Sequence, residues 1–542
     1  MHFKDKLKKN SMKEIWDEYC GFLDLSIDEY MQIQYRLLAE QIESFSSCGL
    51  GQKILHGVKP SSVEEFRRSV PLTTYEDYAE ILLAKRKDML PEEPVVWLET
   101  TWESGSRPKK LAPYTRGMLD VYTNNILAAM ILSTSEEKGR FHIKNGDKGL
   151  YGLAPLPYAT GLFPLLIEPE LDLKFMPSLE EARDLSFTEQ NKKGFSTALK
   201  LGIDQFFGMS SVVYTITKNF EQYASSGNVN LKKLAGIHPG MMSRLMKAKY
   251  TCERDKRPIK PKDLFDLKGF VCVGTDTALF KDELEEAWGH RPLEIHGGTE
   301  PSCLGTETWN RNGLVFFPDN AFYEFIPKEE MLKSEADPAY IPKTYLMNEV
   351  IANQEYEIVL TLFKGGAFMR YRPGDMYRCL RTVSEREGVM LPQFEYIDRV
   401  PSVIDIAGFT RITEGSIRHV LKMSRLPVGE WFALKEYNGD KRSYMHFYVE
   451  VDLETPEAAY LNEELIKDHF SAYFRHYDHD YKDLKRLLGV EPLVVTILPC
   501  GTLQRFERVY GKPIRKINPS MQDVIDLKHL LGEPVWAGGV GL

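Results

Sequence analysis

Three short stretches, far apart in a chain of 542 residues, carry side chains that could do chemistry together. In the first, Thr100-Thr101-Trp102-Glu103-Ser104-Gly105-Ser106-Arg107-Pro108-Lys109, hydroxyls, a glycine and several cations follow a β-like run. Such a loop can cradle phosphates, because backbone N–H groups and small hydroxyls approach the oxygens while Lys or Arg neutralises their charge. Taken alone, it reads equally as a solvated turn closed by Pro108. In the second, Glu294-Ile295-His296-Gly297-Gly298-Thr299-Glu300-Pro301, an apolar strand ends in two glycines and then presents a hydroxyl and a carboxylate. Glycines let the backbone approach a planar ligand, and a carboxylate beside phosphates can hold Mg2+. The competing reading is a polar turn, with His296 a satisfied structural histidine. The third, Met369-Arg370-Tyr371-Arg372-Pro373-Gly374-Asp375, turns and then places one Asp where it could accept hydrogen bonds from both hydroxyls of a ribose, or simply close a Pro-Gly-Asp turn.

Positioning them requires a large scaffold. Residues 12–47 show Leu, Ile and Tyr at helical spacing, which predicts one or two amphipathic helices. From about 90 to 400, β-like runs at 95–98, 163–167, 270–273 and 293–296 alternate with helical segments such as 281–288, a pattern that favours an α/β sheet. Beyond Arg399 the pattern changes to a hairpin (431–437 and 444–451, joined by Asn438-Gly439), a helix over 456–473 and a strand at 493–498. The reading is therefore two domains, a large one over 1–398 and a small α+β one over 399–542, with Pro401 interrupting the chain at the junction.

Composition excludes several classes. Lys plus Arg number 69 against 78 Asp plus Glu, a net charge of −9, which offers no positive field for a nucleic-acid backbone. The densest basic stretch, 247–262, is broken by Glu253, Asp255, Pro258 and Pro261 and reads as a solvated loop. Seven scattered cysteines, never spaced C-x-x-C, argue against a disulfide framework or structural zinc and fit a reducing cytoplasm. The N-terminus lacks the apolar run of a signal peptide, and the most apolar stretch, 149–167, holds three prolines, so no membrane span is expected. His476-Tyr477-Asp478-His479-Asp480 reads as a solvated loop rather than a metal cluster, and Gly-x-Ser-x-Gly is absent.

The order of the three stretches, with Tyr396-Ile397-Asp398-Arg399 following and a separate domain beyond, resembles the adenylate-forming superfamily of acyl-CoA synthetases, peptide adenylation domains and luciferases. It more closely resembles the Gretchen Hagen family of acyl acid amido synthetases, and next the phenylacetate-CoA ligases. The likeness extends from a lead-in, Phe66-Arg67-Arg68-Ser69-Val70-Pro71-Leu72-Thr73-Thr74-Tyr75-Glu76-Asp77-Tyr78, to Gly501-Thr502-Leu503 in the small domain. One departure stands out: Trp102 and Glu103 replace the first Gly-Thr pair of the family's phosphate loop, adding bulk and negative charge beside a polyanion.

The resemblance implies a multi-layer adenylate-forming domain followed by a small mobile one, with ATP and Mg2+ as cofactors. A small carboxylic acid would be activated as acyl-AMP and its acyl group passed to an amine, an amino acid in the leading reading. A thiol acceptor, as in a CoA ligase, and a catalytically impaired nucleotide- or acyl-binding protein are the alternatives. Carried onto matched positions, Ser104, Gly105 and Lys109 would hold phosphates, and Gly297, Gly298 and Thr299 the adenine and α-phosphate. Glu300 would hold Mg2+, Asp375 the ribose, and Arg399 the ribose or the hinge. Lys516, with Lys512 as rival, would act on the α-phosphate, and Tyr158, Thr160 and Gly161 would line the acyl pocket, to which 206–214 could add.

Overall fold

The computed structural model describes residues 1–101, 109–225, 237–408, 410–451, 456, 458–477 and 492–532. By its contacts the chain forms two compact units: Met1–Thr100 with Lys110–Asp398, and Thr101–Lys109 with Arg399–Leu542. Among the described residues, no helix is long and apolar enough to cross a membrane.

Helices at Met12–Cys20 and Ile27–Ser46 start at Ser11 and Ser26, each of which accepts a backbone N–H three residues on while the glutamate there reaches back to the cap. Ile15, Tyr19, Leu23, Leu37, Leu38 and Ile42 of that opening region are buried, as their spacing predicts, while Phe22 and Ile33 are half-buried.

The large unit is built on strands β1 (Val96–Thr101), β2 (Lys109–Tyr114), β3 (Lys148–Gly152), β4 (Lys174–Met176), β5 (Gln205–Met209), β6 (Gly269–Val273), β7 (Leu293–Gly298), β8 (Ser302–Glu307), β9 (Leu314–Phe316), β10 (Ala321–Pro327), β11 (Tyr345–Leu346), β12 (Glu355–Leu362), β13 (Asp375–Arg381) and β14 (Gln393–Arg399). β1 pairs with β2, and the other strands form a twelve-stranded sheet in the order β11-β10-β12-β13-β14-β9-β8-β7-β6-β5-β3-β4. From β4 to β7 the strands run parallel, and β7, β8 and β9 pair antiparallel. Parallel strands need both faces covered. Leu150, Phe206, Phe270 and Cys272 pack with Tyr214 and Phe280, Leu284 and Trp288 of the helices Ser210–Ser225 and Thr277–Trp288, while the helix Arg116–Ser133 packs against β6, β7 and β8. The alternation read from sequence is thus an α/β fold.

Two expectations are corrected. Residues 163–167 belong to a helix, Leu162–Ile167, not a strand. Pro164 stands in its first turn, where the missing N–H costs nothing. The basic stretch is not a loop throughout: the helix Pro239–Arg254 runs into it, burying Met241, Ala248 and Cys252 at helical spacing, and Arg257 then pairs bidentately with Asp263.

In the small unit, β15 (Val403–Ile406) pairs with β16 (Thr410–Thr413), and β17 (Trp431–Tyr437), β18 (Ser443–Val451) and β19 (Leu493–Pro499) form a sheet. β17 and β18 are antiparallel, β18 and β19 parallel. The hairpin connection is not a two-residue turn: Asn438 Oδ1 accepts the N–H groups of Asp440 and Arg442, which spreads the turn to Ser443. The helix starts later than expected, at Glu463–Tyr477, because Asn462 Oδ1 accepts the Leu465 N–H and caps it.

Inside the large unit one ammonium faces two carboxylates. Lys281, on the helix Thr277–Trp288, lies 2.5 Å from Glu307 and 3.0 Å from Glu294, and all three are buried. Burial pushes the Glu294 carboxyl up to about 6 from 4.5; Lys281 pulls it down and Glu307 raises it further. A raised carboxyl favours the protonated native state, so the stability it gives is complete below pH 4.5 and lost as pH rises through about 6. Glu294→Gln is expected to abolish that decline and to stabilise the protein by about 1–2 kcal/mol at pH 7, read from thermal midpoints between pH 4 and 8.

Candidate active site

The site begins with the way residues 73 and 369–372 are joined. Thr73 N–H donates to Arg370 O, and Arg372 N–H to Thr73 O, each at 2.9 Å, while Thr73 Oγ1 and Tyr78 Oη both donate to Met369 O at 2.8 and 2.9 Å. Arg370 stands in the left-handed region, with φ +47°, just before the short bridge that Tyr371 makes to Thr73 and Leu360. Arg370 and Arg372 turn to buried carboxylates, Arg370 gripping Glu324 at 2.8 and 2.9 Å and Arg372 gripping Glu357 at 2.6 and 2.9 Å. Tyr371, between them, points the other way, and its hydroxyl donates to Glu300 Oε1 at 2.7 Å.

Glu300 sits just past the end of β7. The register of β7 against β8 shifts between His296 and Gly297, and a Cβ on Gly297 would stand 1.6 Å from Ser302 O, so the closeness of the two backbones there requires glycine. Tyr114 Oη donates to Thr299 O at 2.7 Å and fixes the following turn. Lys110 Nζ lies 3.7 Å from Glu300 Oε1 and 3.3 Å from Tyr371 Oη, with the Tyr75 ring 5.5 Å beneath it. Lys110 and Glu300 are only 5% and 7% exposed. The carboxylate of Asp375, at the start of β13, is also buried and lies 3.5 Å from Tyr396 Oη. The Tyr396 ring stacks on His296 with centroids 4.3 Å apart, and Tyr377 meets both edge-on. The second stretch therefore meets the third through Glu300 with Tyr371 and the segment 396–399 through His296 with Tyr396, whose hydroxyl lies by Asp375 of the third.

The remaining candidates fall elsewhere. Ser104 and Gly105, with Trp102 and Glu103, lie outside the described residues, as does 478–480. Lys109 is exposed at the first position of β2, and its neighbour Lys110 turns inward instead. Thr160 Oγ1 donates to Ala154 O at 2.9 Å, and a Cβ on Gly161 would lie 2.2 Å from Leu156 N, so both build the turn between β3 and Leu162–Ile167; Tyr158, on the same turn, is half-buried. Phe206 and Tyr214 are core residues. Arg399 closes β14. In the small unit Lys512 pairs with Asp523 at 2.7 Å, whereas Lys516 pairs with Glu430 and lies 5.4 Å over the Trp431 ring.

Sequence reasoning overlooks Lys110, and it names Tyr396 only as part of the segment 396–399, without a role. The available signal for Lys110 is its place at the head of Leu111-Ala112-Pro113-Tyr114, a run too apolar to leave both lysines outside.

Residues 21–150 match the GH3 family N-terminal domain and residues 314–399 the GH3 family central domain. No curated protein matches the chain in sequence. Among solved structures, AtGH3.15 acyl acid amido synthetase in complex with 2,4-DB is similar over 94% of this chain and 95% of its own, with TM-score 0.52 and 16% identity. A 2-hydroxyisobutyryl-CoA ligase in complex with 2-HIB-AMP and CoA is similar over 85% and 86%, with TM-score 0.52 and 16% identity. Both share the fold described above.

Proposed function

We propose that the chain, whose residues 21–150 and 314–399 match the N-terminal and central domains of the GH3 family, is an ATP-dependent ligase that activates a carboxylic acid as acyl-AMP and passes the acyl group to an amine, an amino acid being the leading acceptor. The observation that carries this reading is the meeting of Glu300 with Tyr371 and of His296 with Tyr396, the latter beside Asp375, all of them buried. The acid's carboxylate would attack the α-phosphate of ATP, pyrophosphate would leave, and the amine would then displace AMP from the acyl carbon. Such chemistry depends on positioning and charge rather than on an enzyme nucleophile.

In this reading the bare backbone of Gly297 and Gly298, with Thr299, receives adenine and the α-phosphate, and Asp375 accepts the ribose hydroxyls. Ser104, Gly105 and Lys109 serve the outer phosphates, Arg399 the ribose or the hinge between the domains, and Tyr158 the acid. Among the described residues no cluster of three or more His, Cys, Asp or Glu could hold a metal, so the chain offers Glu300 as a single hard oxygen donor. That suits Mg2+, which keeps waters and takes one or two carboxylates plus substrate phosphates. When bound it would neutralise phosphate charge. The cysteines are free, six of them buried, which suits a reducing compartment such as the cytoplasm.

Acid-dependent exchange of labelled pyrophosphate into ATP tests the reading, and nucleotide binding without exchange for any acid in a broad library would sink it. Product masses with amino acids or CoA then identify the acceptor. Lys516→Ala is expected to cut exchange about 10²-fold, and Lys512→Ala, which breaks only the pair with Asp523, to leave it near wild type. Unchanged exchange in both discards the lysine assignment.

A further inference from the structure

Glu300 is held by two groups of opposite effect, and neither is one of the residues assigned above to ATP. Tyr371, 1% exposed, donates its hydroxyl to Oε1 at 2.7 Å. Lys110 sets its ammonium 3.7 Å from the same oxygen, over the Tyr75 ring. The other oxygen is turned to the glycine pair: a Cβ on Gly298 would stand 3.8 Å from Oε2, and among the described residues Oε2 receives no hydrogen bond. The backbone around Tyr371 leaves it little freedom, since its N–H and C=O both pair with Leu360 at 2.8 Å and the two flanking arginines are locked to Glu324 and Glu357.

We infer that Tyr371 and Lys110 are positioning residues for Glu300, one fixing the carboxylate so that Oε2 meets a divalent cation arriving with the nucleotide, the other standing in as its counter-charge until that cation arrives. This inference rests on the ligase reading. A hydroxyl that orients a metal-binding carboxylate adds affinity, and partners of this kind typically account for ten- to a hundredfold. An ammonium beside the same oxygen opposes a second cation by simple Coulomb repulsion, strongly so where water is excluded. The two substitutions must therefore move metal affinity in opposite directions, whereas damage to the fold would weaken binding in both.

The test uses the full-length protein at saturating ATP, with Mn2+ binding followed by electron paramagnetic resonance and acid-dependent exchange followed against free Mn2+. Tyr371→Phe is expected to raise the half-saturating Mn2+ concentration about ten- to a hundredfold, and Lys110→Met, which keeps the aliphatic stem, to lower it. Equal values for wild type and Tyr371→Phe, or a rise in both variants, overturn the inference while wild-type exchange leaves the ligase reading standing. A wild-type protein that neither exchanges nor binds Mn2+ with ATP removes both. Should Tyr371→Phe fail to fold, Lys110→Met decides alone, and an unchanged or higher value overturns the inference.

Discussion

Arg370→Ala is expected to destabilise the large unit by about 3–5 kcal/mol, because it leaves a buried carboxylate without its cation. Glu324 is 0% exposed, and both of its oxygens are gripped by Arg370 at 2.8 and 2.9 Å. The same guanidinium donates to the carbonyls of Arg67 and Val70 at 2.7 and 2.5 Å, so its loss also frees the end of the helix Val63–Ser69. Thr344 Oγ1, which donates to Glu324 at 2.7 Å, and Arg67, whose Nε stands 4.0 Å from Glu324 Oε1, would remain, but neither grips both oxygens as Arg370 does. Denaturant unfolding followed by intrinsic fluorescence measures the loss. Removing both charges in Arg370→Met/Glu324→Leu should recover much of it, since an apolar pair of similar volume avoids the cost of an unpaired ion. A single variant as stable as wild type would refute the argument.

Glu300→Gln is expected to lower acid-dependent exchange by about 10²- to 10³-fold, the range for losing one preorganised electrostatic contact to a charged transition state. The substitution also takes the carboxylate away from Lys110, an ammonium only 5% exposed, so part of any lost activity would come from lost stability. The two effects separate in Glu300→Gln/Lys110→Met, where both charges of the pair are gone: its thermal midpoint should return towards wild type while its exchange stays low. Recovery of exchange along with stability would show that Glu300 acts only through folding.

The parallel strands are legible in the sequence where a buried strand is a continuous apolar run, as at 270–273, or shows Leu and Ile alternating with other residues, as at 293–296. The run at 163–167 is equally apolar, and a short run of that kind fits a helix as well as a strand. The turn chemistry after Tyr437 is misread for a different reason: Asn438 acts through its side chain, which a two-residue turn rule does not consider. At the site, the glycines and Glu300 announce themselves by type and order. The choice between Lys109 and Lys110 does not, because adjacent residues on a strand face opposite ways and only the packed sheet decides which faces inward. The pairing of Tyr371 with Glu300 joins residues 71 positions apart and leaves no trace in local pattern.

The joining of Thr73 to Met369 spans 296 residues. During synthesis the early segment must therefore wait, its hydrogen-bonding groups unmatched, until the ribosome has delivered nearly the whole large unit, and contacts of such range close slowly. A chain cut between Glu300 and Tyr371 would leave the carboxylate on one fragment and the hydroxyl that donates to it on the other, so on the ligase reading acid-dependent exchange should return only when both pieces are present in the same tube.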